Sequence, residues 1–376
     1  MSFLLGIGSN IRKSPYFDAT VADGVQSFSV YNHMYLPGHF GDPQGEYERL
    51  TNGVAMWDVG AQRQVELQGP DAAQLVQYLC TRDVSGTAIG QGRYVPICNH
   101  DGNLINDPVL LKLSEDQFWL SIADSDIELW AGAIAAERGL DVRVFEPDVS
   151  PLAVQGPKAA RLIAQLFGDW TQELKYFWFR ETSLQGIPLL LARSGWSKQG
   201  GFELYLRDGA RGQELWDIVK AAGAAFDIGP GAPNDAERLE SGLLSYGADA
   251  RLQTCPANPF ELGLGKLVDL DGPEDFIGKP ALLKIRAAGI RRRLSGFVIQ
   301  GDPVLASEHR VPLLQNEIVV GSISEMAYSS RLKKNIGIGL ISNTIADDVD
   351  NLKVSLASGL RSVTINDLPF IRQAHR

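Results

Sequence analysis

The feature that most constrains the fold is an internal repeat. Residues 66–79 and 153–166 are identical at seven of fourteen aligned positions, and both copies contain the run Gln-Gly-Pro-x-Ala-Ala. In each copy an apolar strand pattern ends at Gly-Pro, and a helical pattern begins where proline fits the first turn of a helix. Convergence on a common strand-to-helix turn is one explanation. The matched glutamine and the paired alanines favour duplication, or two similar α+β units.

A different pattern occupies the C-terminal part of the chain. From Leu294 onward, short apolar runs alternate with turn residues, at 296–299, 317–323, 336–340, 352–356 and 362–365. Short strands at this spacing predict a small β-barrel. The chain has 376 residues, which is too long for one simple core and predicts two or three domains.

Composition narrows the class of protein. Hydrophobic residues make up 44% and the net charge is −10, which indicates a soluble globular chain and argues against a nucleic-acid-binding surface. No apolar run is long enough to span a membrane, and the first twelve residues lack the basic start of a secretory signal. Cys80, Cys98 and Cys255 have no CxxC spacing, so we expect free thiols and a cytoplasmic location.

Several well-known catalytic motifs are absent from the sequence. The chain has no complete dinucleotide-binding glycine loop, no phosphate-binding loop, no HExxH and no GxSxG. The five histidines, at positions 33, 39, 100, 309 and 375, are not spaced as a set of metal ligands. We therefore predict no metal site, and a metal-dependent or triad hydrolase is disfavoured.

Residues 193–205 are the first candidate site. Trp196 lies in a glycine-rich turn, and the strand that follows places Glu203 and Tyr205 on one face and Phe202 and Leu204 on the other. By itself this pattern favours an ordinary edge strand after a turn. The alternative is a grip for a flat heterocycle, with the indole stacking on it and the carboxylate accepting from ring N–H groups.

Asp107 is the second candidate. It stands in an apolar strand pattern directly before Pro108, where the strand ladder must be interrupted. An acid at such a place is either hydrogen-bonded for structural reasons or poised in a site. The aromatic run 176–179 predicts a strand with most of its rings in the core, and a helix is predicted over 237–247 that stops at Gly247.

Taken together, the motifs resemble the folate-dependent aminomethyltransferase family, that of the glycine-cleavage T-protein. Within it they are most similar to the tetrahydrofolate-dependent dimethylsulfoniopropionate demethylases. The resemblance runs from Ser14 to Phe370. The motifs that carry it lie at 30–34, 57–59, 104–109, 121–126, 146–152, 194–203, 238–247 and 332–335.

The resemblance implies an α+β fold in which two α+β domains and a C-terminal β-barrel form a three-domain cloverleaf ring, with folate in the central opening. The implied domains are residues 1–47 plus 146–230, residues 48–145 plus 231–285, and residues 286–376. The first two are discontinuous α+β domains, and the third is the barrel.

The resemblance also implies roles for residues. Asp107 matches the family's functional aspartate, and Glu203 matches the glutamate that accepts from the pterin ring. Positions that line the folate slot in the family are occupied here by Tyr94, Val109, Ser121, Phe177, Trp178 and Trp196. For the methyl donor we expect contacts from Tyr31, His33, Trp170 and Tyr205, although a lone histidine near a strand end is more often a local hydrogen-bonding residue.

Departures from the family pattern bear on the substrate. T-proteins usually carry two aspartates where this chain has Asn106-Asp107, a Gly-Glu-Asp turn where it has 198–200, and an arginine at Asn234. These differences weaken a glycine-cleavage role. Against the demethylases, Gln62, Ala248 and Trp178 differ from the expected pattern, which leaves room for another methyl donor.

We therefore predict a tetrahydrofolate-dependent methyltransferase that moves a methyl group from a small onium donor, such as dimethylsulfoniopropionate, to N5 of tetrahydrofolate. The alternatives are demethylation of a betaine or of a methoxylated aromatic acid, a glycine-cleavage aminomethyltransferase, and a folate-binding protein without catalysis. The expected partner is a small-molecule donor, with no nucleic acid and no membrane. A homodimer is left open.

Overall fold

A computed structural model describes residues 8–305, 309–347 and 349–372. Residues 1–7, at the start of the chain, and His375 lie outside these ranges. The helices are α1 Phe17–Ala22, α2 Pro43–Asn52, α3 Ala72–Leu79, α4 Ile127–Arg138, α5 Ala159–Phe167, α6 Gly212–Ala222, α7 Asp235–Ser241 and α8 Lys279–Ala288. The strands are β1 Ser27–Tyr31, β2 Met34–His39, β3 Val54–Asp58, β4 Gln64–Gln68, β5 Gly92–Tyr94, β6 Ile97–Cys98, β7 Leu104–Asn106, β8 Val109–Lys112, β9 Gln117–Ser121, β10 Arg143–Phe145, β11 Ser150–Gln155, β12 Phe179–Leu184, β13 Ile187–Ala192, β14 Gly201–Leu206, β15 Ile228–Gly231, β16 Arg292–Ile299, β17 Val311–Gln315, β18 Ile318–Ser329, β19 Lys334–Ser342, β20 Leu352–Leu356 and β21 Gly359–Asn366.

The two Gly-Pro repeats form the same local structure in two different sheets. In each, a strand (β4 or β11) ends at the glycine, and a helix (α3 or α5) begins within three residues. Gly69 has φ 149° and Gly156 has φ 126°, values that favour glycine. A Cβ at Gly69 would lie 2.3 Å from the carbonyl of Asp141, and one at Gly156 would lie 2.6 Å from the carbonyl of Gly53. The predicted strand-to-helix turns are confirmed.

The second repeat belongs to a six-stranded sheet with the order β12-β13-β14-β11-β3-β15. All of its pairings are antiparallel except β15 with β3, which is parallel. One face packs against helices through an apolar cluster in which Leu162 and Trp216 of the helices contact Phe202, Leu204 and Leu206 of β14. The predicted alternation along residues 202–206 is thus confirmed on its apolar side.

The first repeat belongs to a five-stranded sheet with the order β10-β4-β9-β8-β5. Its outer face packs on α3 and α4, where Leu75 and Ile127 join Phe118 and Leu120 of β9. Helices thus cover one face of each sheet, and α2 also covers the β3 edge of the opposite face of the six-stranded sheet, where Leu50 joins Ala55 and Trp57.

The remaining parts of these opposite faces pack against each other. Trp119 of β9 and Tyr205 of β14 have ring centroids 6.2 Å apart, and Leu111 of β8 and Leu190 of β13 belong to the same apolar cluster. The order of layers is thus helix, sheet, sheet, helix, with an apolar seam between the sheets.

The C-terminal strands form a closed barrel with the order β16-β19-β18-β17-β20-β21. The predicted α+β fold with a C-terminal barrel is confirmed. Among the barrel strands, β17 was not predicted, because it contains Pro312 and proline usually argues against a strand. No helix in the described ranges is long and apolar enough to cross a membrane.

Two local predictions were wrong. The aromatic run 176–179 is mostly a turn, because Phe177 has φ 62° and the strand begins only at Phe179. Phe179 alone of the four rings is buried, while Tyr176 is 58% exposed. Helix α7 ends at Gly242, whose φ of 63° forms a left-handed cap, so the helix stops before the predicted Gly247.

The predicted domain bounds remain a prediction, and the sheets differ from them at one place. Strand β3, which the prediction assigns to the second domain, pairs with β11 and β15 in the six-stranded sheet. The change from one sheet to the other therefore follows Asp58 rather than residue 47, because β3 supplies the partner that β11 needs on its second edge.

Helix α7 joins this two-sheet body to the barrel through buried charges. Arg238 is fully buried, donates to both carboxylate oxygens of Asp249 at 3.0 and 3.1 Å, and also pairs with Glu325 of β18. Glu240 accepts from the hydroxyls of Tyr47 on α2, at 2.8 Å, and Ser329 on β18, at 2.5 Å. One short helix thus contacts both parts of the molecule.

We expect Gly156→Ala to lower the free energy of unfolding by more than about 1 kcal/mol, because the new methyl group meets backbone at a positive φ. Gly132→Ala is the matched control. It lies inside α4 with nothing within 4 Å of an added Cβ, so the substitution should be neutral or stabilising. Urea unfolding of both variants measures the difference, and equal stabilities would contradict the close approach at Gly156.

Candidate active site

A row of side chains crosses the five-stranded sheet on the face that meets the other sheet. Tyr94 pairs with Val109, Val109 with Ser121, and Ser121 with Gln64. Residues directly opposite in antiparallel strands point to the same face. The next row on that face contains Leu111 and belongs to the apolar seam. Three predicted slot residues are therefore brought together at one end of the seam.

Glu203 faces this seam from the six-stranded sheet. It is 5% exposed, and the hydroxyls of Ser194 and Tyr205 both donate to its Oε2, the latter at 3.2 Å. Within the described ranges no hydrogen bond engages its Oε1. Burial raises the pKa of Glu203, and the two hydroxyl donors act in the opposite direction. One carboxylate oxygen is held in place while the other is available to a ligand.

The turn before Glu203 is shaped by glycine. Gly195 has φ 148°, and a Cβ there would lie 2.0 Å from the side-chain amide of Gln155. Trp196, which is partly buried, donates its indole N–H to the carbonyl of Leu244 at 3.3 Å. The backbone N–H of Lys198 donates to Glu237 of α7 at 3.0 Å. The turn that carries the tryptophan is therefore docked onto α7.

Asp107 lies between β7 and β8, where Pro108 interrupts the ladder as predicted. The Tyr94 hydroxyl donates to its Oδ2 at 2.6 Å. The pKa of Asp107 is raised to about 7, chiefly by burial; the hydrogen bond from Tyr94 acts to lower it, and the charge of Asp249 acts to raise it. The residue nevertheless keeps part of its surface accessible. Asp107 is therefore largely enclosed but can still be reached by a ligand. A pKa near neutrality suits a group that transfers protons.

Tyr31 is carried by a hairpin. Asn32 and His33 connect β1 to β2 with φ of 50° and 60°, as in the two-residue turn that matches strand twist. Burial raises the pKa of the Tyr31 phenol, and the charges of Asp107 and Asp124 raise it further. The Asp124 carboxylate also accepts from the N–H of Asn32, the next residue, at 2.8 Å. The His33 side chain is 67% exposed, with Nε2 3.4 Å from Asp126, which fits the local hydrogen-bonding alternative.

Phe177 and Trp178 lie where the edges of the two sheets meet. The carbonyl of Phe177 accepts from the N–H of Gly92 at 2.5 Å, and Trp178 forms a bridge with Gln91. Both aromatic residues therefore stand beside the strand that carries Tyr94.

Two residues that were predicted to contact the methyl donor do not line an open part of the site. Trp170 packs with the helix-side cluster of the six-stranded sheet, with the Arg180 guanidinium 4.8 Å from its ring centroid. The structure does not bring Trp170 together with the other candidates. Tyr205 is 1% exposed, so its hydroxyl acts on Glu203 rather than on an open surface.

Sequence reasoning missed Gln64. Its side chain is fully buried and donates from Nε2 to the Ser121 hydroxyl at 3.0 Å, while its Oε1 has no hydrogen-bond partner among the described residues. The only available signal was its place on the alternating strand 63–67, which does not distinguish it from Glu66. Asp249 was missed as well, because nothing local to it indicates its pairing with Arg238.

Two family models together match most of the chain. The model described as the GCVT N-terminal domain matches residues 16–272, and the model described as the Glycine cleavage T-protein C-terminal barrel domain matches residues 292–371. The boundary between the two matches falls near the start of the barrel at β16.

Individual relatives match over nearly their whole length. The dimethylsulfoniopropionate demethylase DmdA of Ruegeria pomeroyi is 41% identical over 95% of this chain and 96% of its own. The aminomethyltransferase of Alkaliphilus metalliredigens is 32% identical over 90% of this chain and 91% of its own. The crystal structure of the glycine cleavage system aminomethyltransferase T from Bartonella henselae aligns with a TM-score of 0.82 at 22% identity, covering 96% and 98% of the two chains, and supports the fold.

The pKa of Asp107 predicts a pH-dependent cost to stability. Its folded-state value of about 7 lies above the ordinary 3.8, so between these values the folded chain binds more protons than the unfolded chain. Stability contributed by this group therefore falls as pH rises through that window. We expect Asp107→Asn to be more stable than the parent by roughly 1–3 kcal/mol near pH 8, with the difference vanishing below about pH 4.

Urea unfolding across that pH range measures this difference. Asp101→Asn, in the exposed turn between β6 and β7, is the control and should leave the difference near zero throughout. A stability gain for Asp107→Asn that did not depend on pH would show that Asp107 is not the titrating group.

Proposed function

Because the chain belongs to the glycine cleavage T-protein (GCVT) family, we propose that it is a tetrahydrofolate-dependent methyltransferase that demethylates a small onium donor such as dimethylsulfoniopropionate. The family predicted from the motifs is thereby confirmed. We choose dimethylsulfoniopropionate as the methyl donor because the chain is similar to the demethylase along almost its whole length. Folate-dependent transfer follows from the family.

The residues present fit a pterin ring. Glu203 is buried and anchored through Oε2, so its Oε1 can accept from ring N–H groups without giving up an existing bond. Tyr94, Val109 and Ser121 form a continuous wall opposite, and Trp196 offers an aromatic face from the docked turn. Flat heterocycles bind where apolar walls converge on a few placed polar groups.

When bound, tetrahydrofolate supplies N5 as the methyl acceptor. A sulfonium methyl is already activated, because its carbon–sulfur bond breaks to release a neutral thioether. The protein's work is to align donor and acceptor and to exclude water. We assign to Asp107 the role of taking the proton that methylation displaces, and its pKa of about 7 supports this. We assign to the Tyr31 ring, the pKa of whose phenol is raised by the charge of that carboxyl, a contact with the cationic centre of the donor.

One observation separates this proposal from an aminomethyl transfer. Asn106 donates from its amide to the carbonyl of Ala123 at 2.9 Å while accepting from the N–H of the same residue at 3.0 Å. An ionised aspartate at this position, the residue usual in T-proteins, could not donate. The local structure around Asp107 is thus built for asparagine, in keeping with a substrate other than an aminomethyl carrier.

The proposal includes a cytoplasmic location and leaves room for a homodimer. All three cysteines are buried and unpaired, as is usual in a reducing compartment. Light scattering of the purified protein decides the oligomeric state.

The decisive experiment is mass spectrometry of the products formed from purified protein, tetrahydrofolate and dimethylsulfoniopropionate. We expect 5-methyltetrahydrofolate together with the demethylated thioether. Asp107→Ala should lower turnover by about 100-fold or more, in the range of a lost acid–base group. If neither product formed while tetrahydrofolate still raised the thermal stability, the donor would have to be sought among betaines and methoxylated acids.

Glu203→Gln should weaken tetrahydrofolate binding by about 10- to 100-fold, because a charge-assisted hydrogen bond is replaced by a neutral one. Turnover at saturating folate should fall much less. Calorimetric titration measures the dissociation constant, and Glu181→Gln, on an exposed face of β12, is the control. An unchanged dissociation constant for Glu203→Gln would contradict the placement of the pterin against Glu203.

A further inference from the structure

Two buried asparagines form hydrogen bonds to the same loop. The loop is residues 122–125, between β9 and α4. Asn32, at the tip of the N-terminal hairpin, is 2% exposed, and Asn106, at the end of β7, is fully buried. Both side chains direct their amides at this loop.

Both ends of the Asn32 side-chain amide are hydrogen-bonded. Its Nδ2 donates to the carbonyls of Ala61 at 3.0 Å and Ile122 at 3.4 Å, and its Oδ1 accepts from the N–H of Ser125 at 3.1 Å. Its backbone N–H donates to Asp124 at 2.8 Å. These bonds fix the hairpin tip on the loop.

Asn106 does the same from the other side. Its Nδ2 donates to the carbonyl of Ala123 and to the hydroxyl of Ser125, at 2.9 and 2.8 Å, and its Oδ1 accepts from the N–H of Ala123 at 3.0 Å. The Ser125 hydroxyl in turn donates to the carbonyl of Ile105 at 2.8 Å. Ser125 is therefore the shared contact of the two asparagines.

Each of these asparagines is adjacent in sequence to a candidate site residue. Asn32 directly follows Tyr31, and Asn106 directly precedes Asp107. A loop that holds both asparagines also sets the distance between the phenol of Tyr31 and the carboxyl of Asp107. Because Asn32 and Asn106 both bond to Ser125, the residues beside them, Tyr31 and Asp107, are brought to the same loop. The charge of Asp107 raises the pKa of the Tyr31 phenol, in keeping with this placement.

We propose that Asn32 and Asn106 are positioning residues of the methyl-donor site, which clamp loop 122–125 and thereby hold Tyr31 opposite Asp107. The inference rests on the proposed function, because it assigns the space between Tyr31 and Asp107 to the donor. Neither asparagine touches the donor. Each acts through the residue next to it, and small errors in such placement are costly to in-line transfer.

The chemistry of the clamp requires amides. Each side chain donates to a carbonyl and accepts from an N–H, which a carboxylate of the same size cannot do. Asn32→Asp and Asn106→Asp therefore keep the shape and remove the donors. Asn99→Asp is the matched control. Among the described residues, the one hydrogen bond of the Asn99 side chain is accepted from the N–H of Asn103 at 2.9 Å, and a carboxylate preserves that bond.

The test measures donor and folate separately. With saturating tetrahydrofolate, we expect kcat/KM for dimethylsulfoniopropionate to fall about 10- to 100-fold in Asn32→Asp and Asn106→Asp. The dissociation constant for tetrahydrofolate should stay within about twofold, since the Glu203 side of the slot is untouched. Asn99→Asp should match the parent in both. Equal losses for donor and folate would overturn the positioning role.

Two further readouts exclude a merely structural effect. Relative to the parent, Asn106→Asp should recover activity at lower pH, because a protonated carboxyl can donate again. In a Tyr31→Phe background both substitutions should cost much less than in the parent, because the groups act as one unit. A loss that did not depend on pH and was fully additive would overturn the proposal.

Hydrogen exchange tests the two asparagine contacts without any methyl donor. In Asn106→Asp, amides in both 27–39 and 122–126 should exchange faster, and unchanged exchange would overturn the clamp. If the parent made no methylated folate, the proposed function would fail while this measurement still tested the clamp. If the aspartate variants did not fold, Asn32→Gly would serve, because it keeps the left-handed turn and the bond to Asp124 while removing the side-chain contacts.

Discussion

The buried charges of helix α7 are the constraint on which the rest of the structure depends. Arg238 has no exposed surface and holds Asp249 and Glu325 at once, so it joins the two-sheet body to the barrel. Charges this deep are tolerated only when they are well paired, and removing one partner leaves an uncompensated charge. Because Glu237 of the same helix holds the turn of Trp196, the helix also sets the position of that turn. The barrel and the candidate site therefore share one support.

The seam between the two sheets determines where a site can form. At one end Trp119 and Tyr205 fill the space, and at the other the row from Tyr94 to Ser121 faces Glu203. The ring of Tyr205 belongs to the apolar seam, and its hydroxyl donates to the Glu203 carboxylate and orients it. Burial raises the pKa of Glu203 and of Asp107, so both acids lower stability at neutral pH. Such a cost is usual where function requires a strained or desolvated group.

Some of this could be predicted because it depends on neighbours along the chain. The Gly-Pro turns, the alternation around Glu203 and the break in the ladder at Pro108 are local, and each was found where the pattern placed it. The spacing of the C-terminal strands predicted the barrel, and the motifs predicted the family and, through it, the folate-dependent chemistry. Predictions failed where two local signals competed, as at Gly242 and Gly247, where both glycines could end the helix and the earlier one does.

The sequence by itself determined the types of element, their order, the family and the identity of the two acids, because these depend on periodicity, turn chemistry and motifs. Only the tertiary structure decided which side chains meet. Asn32 lies 93 residues from Ser125, and Gln64 lies 57 residues from Ser121, so no local pattern could join them. The tertiary structure also separated Trp170 from the site, although its residue type suited the role. The physical reason is that a hydrogen bond or a raised pKa depends on enclosure by distant segments, and enclosure does not exist until the sheets have packed.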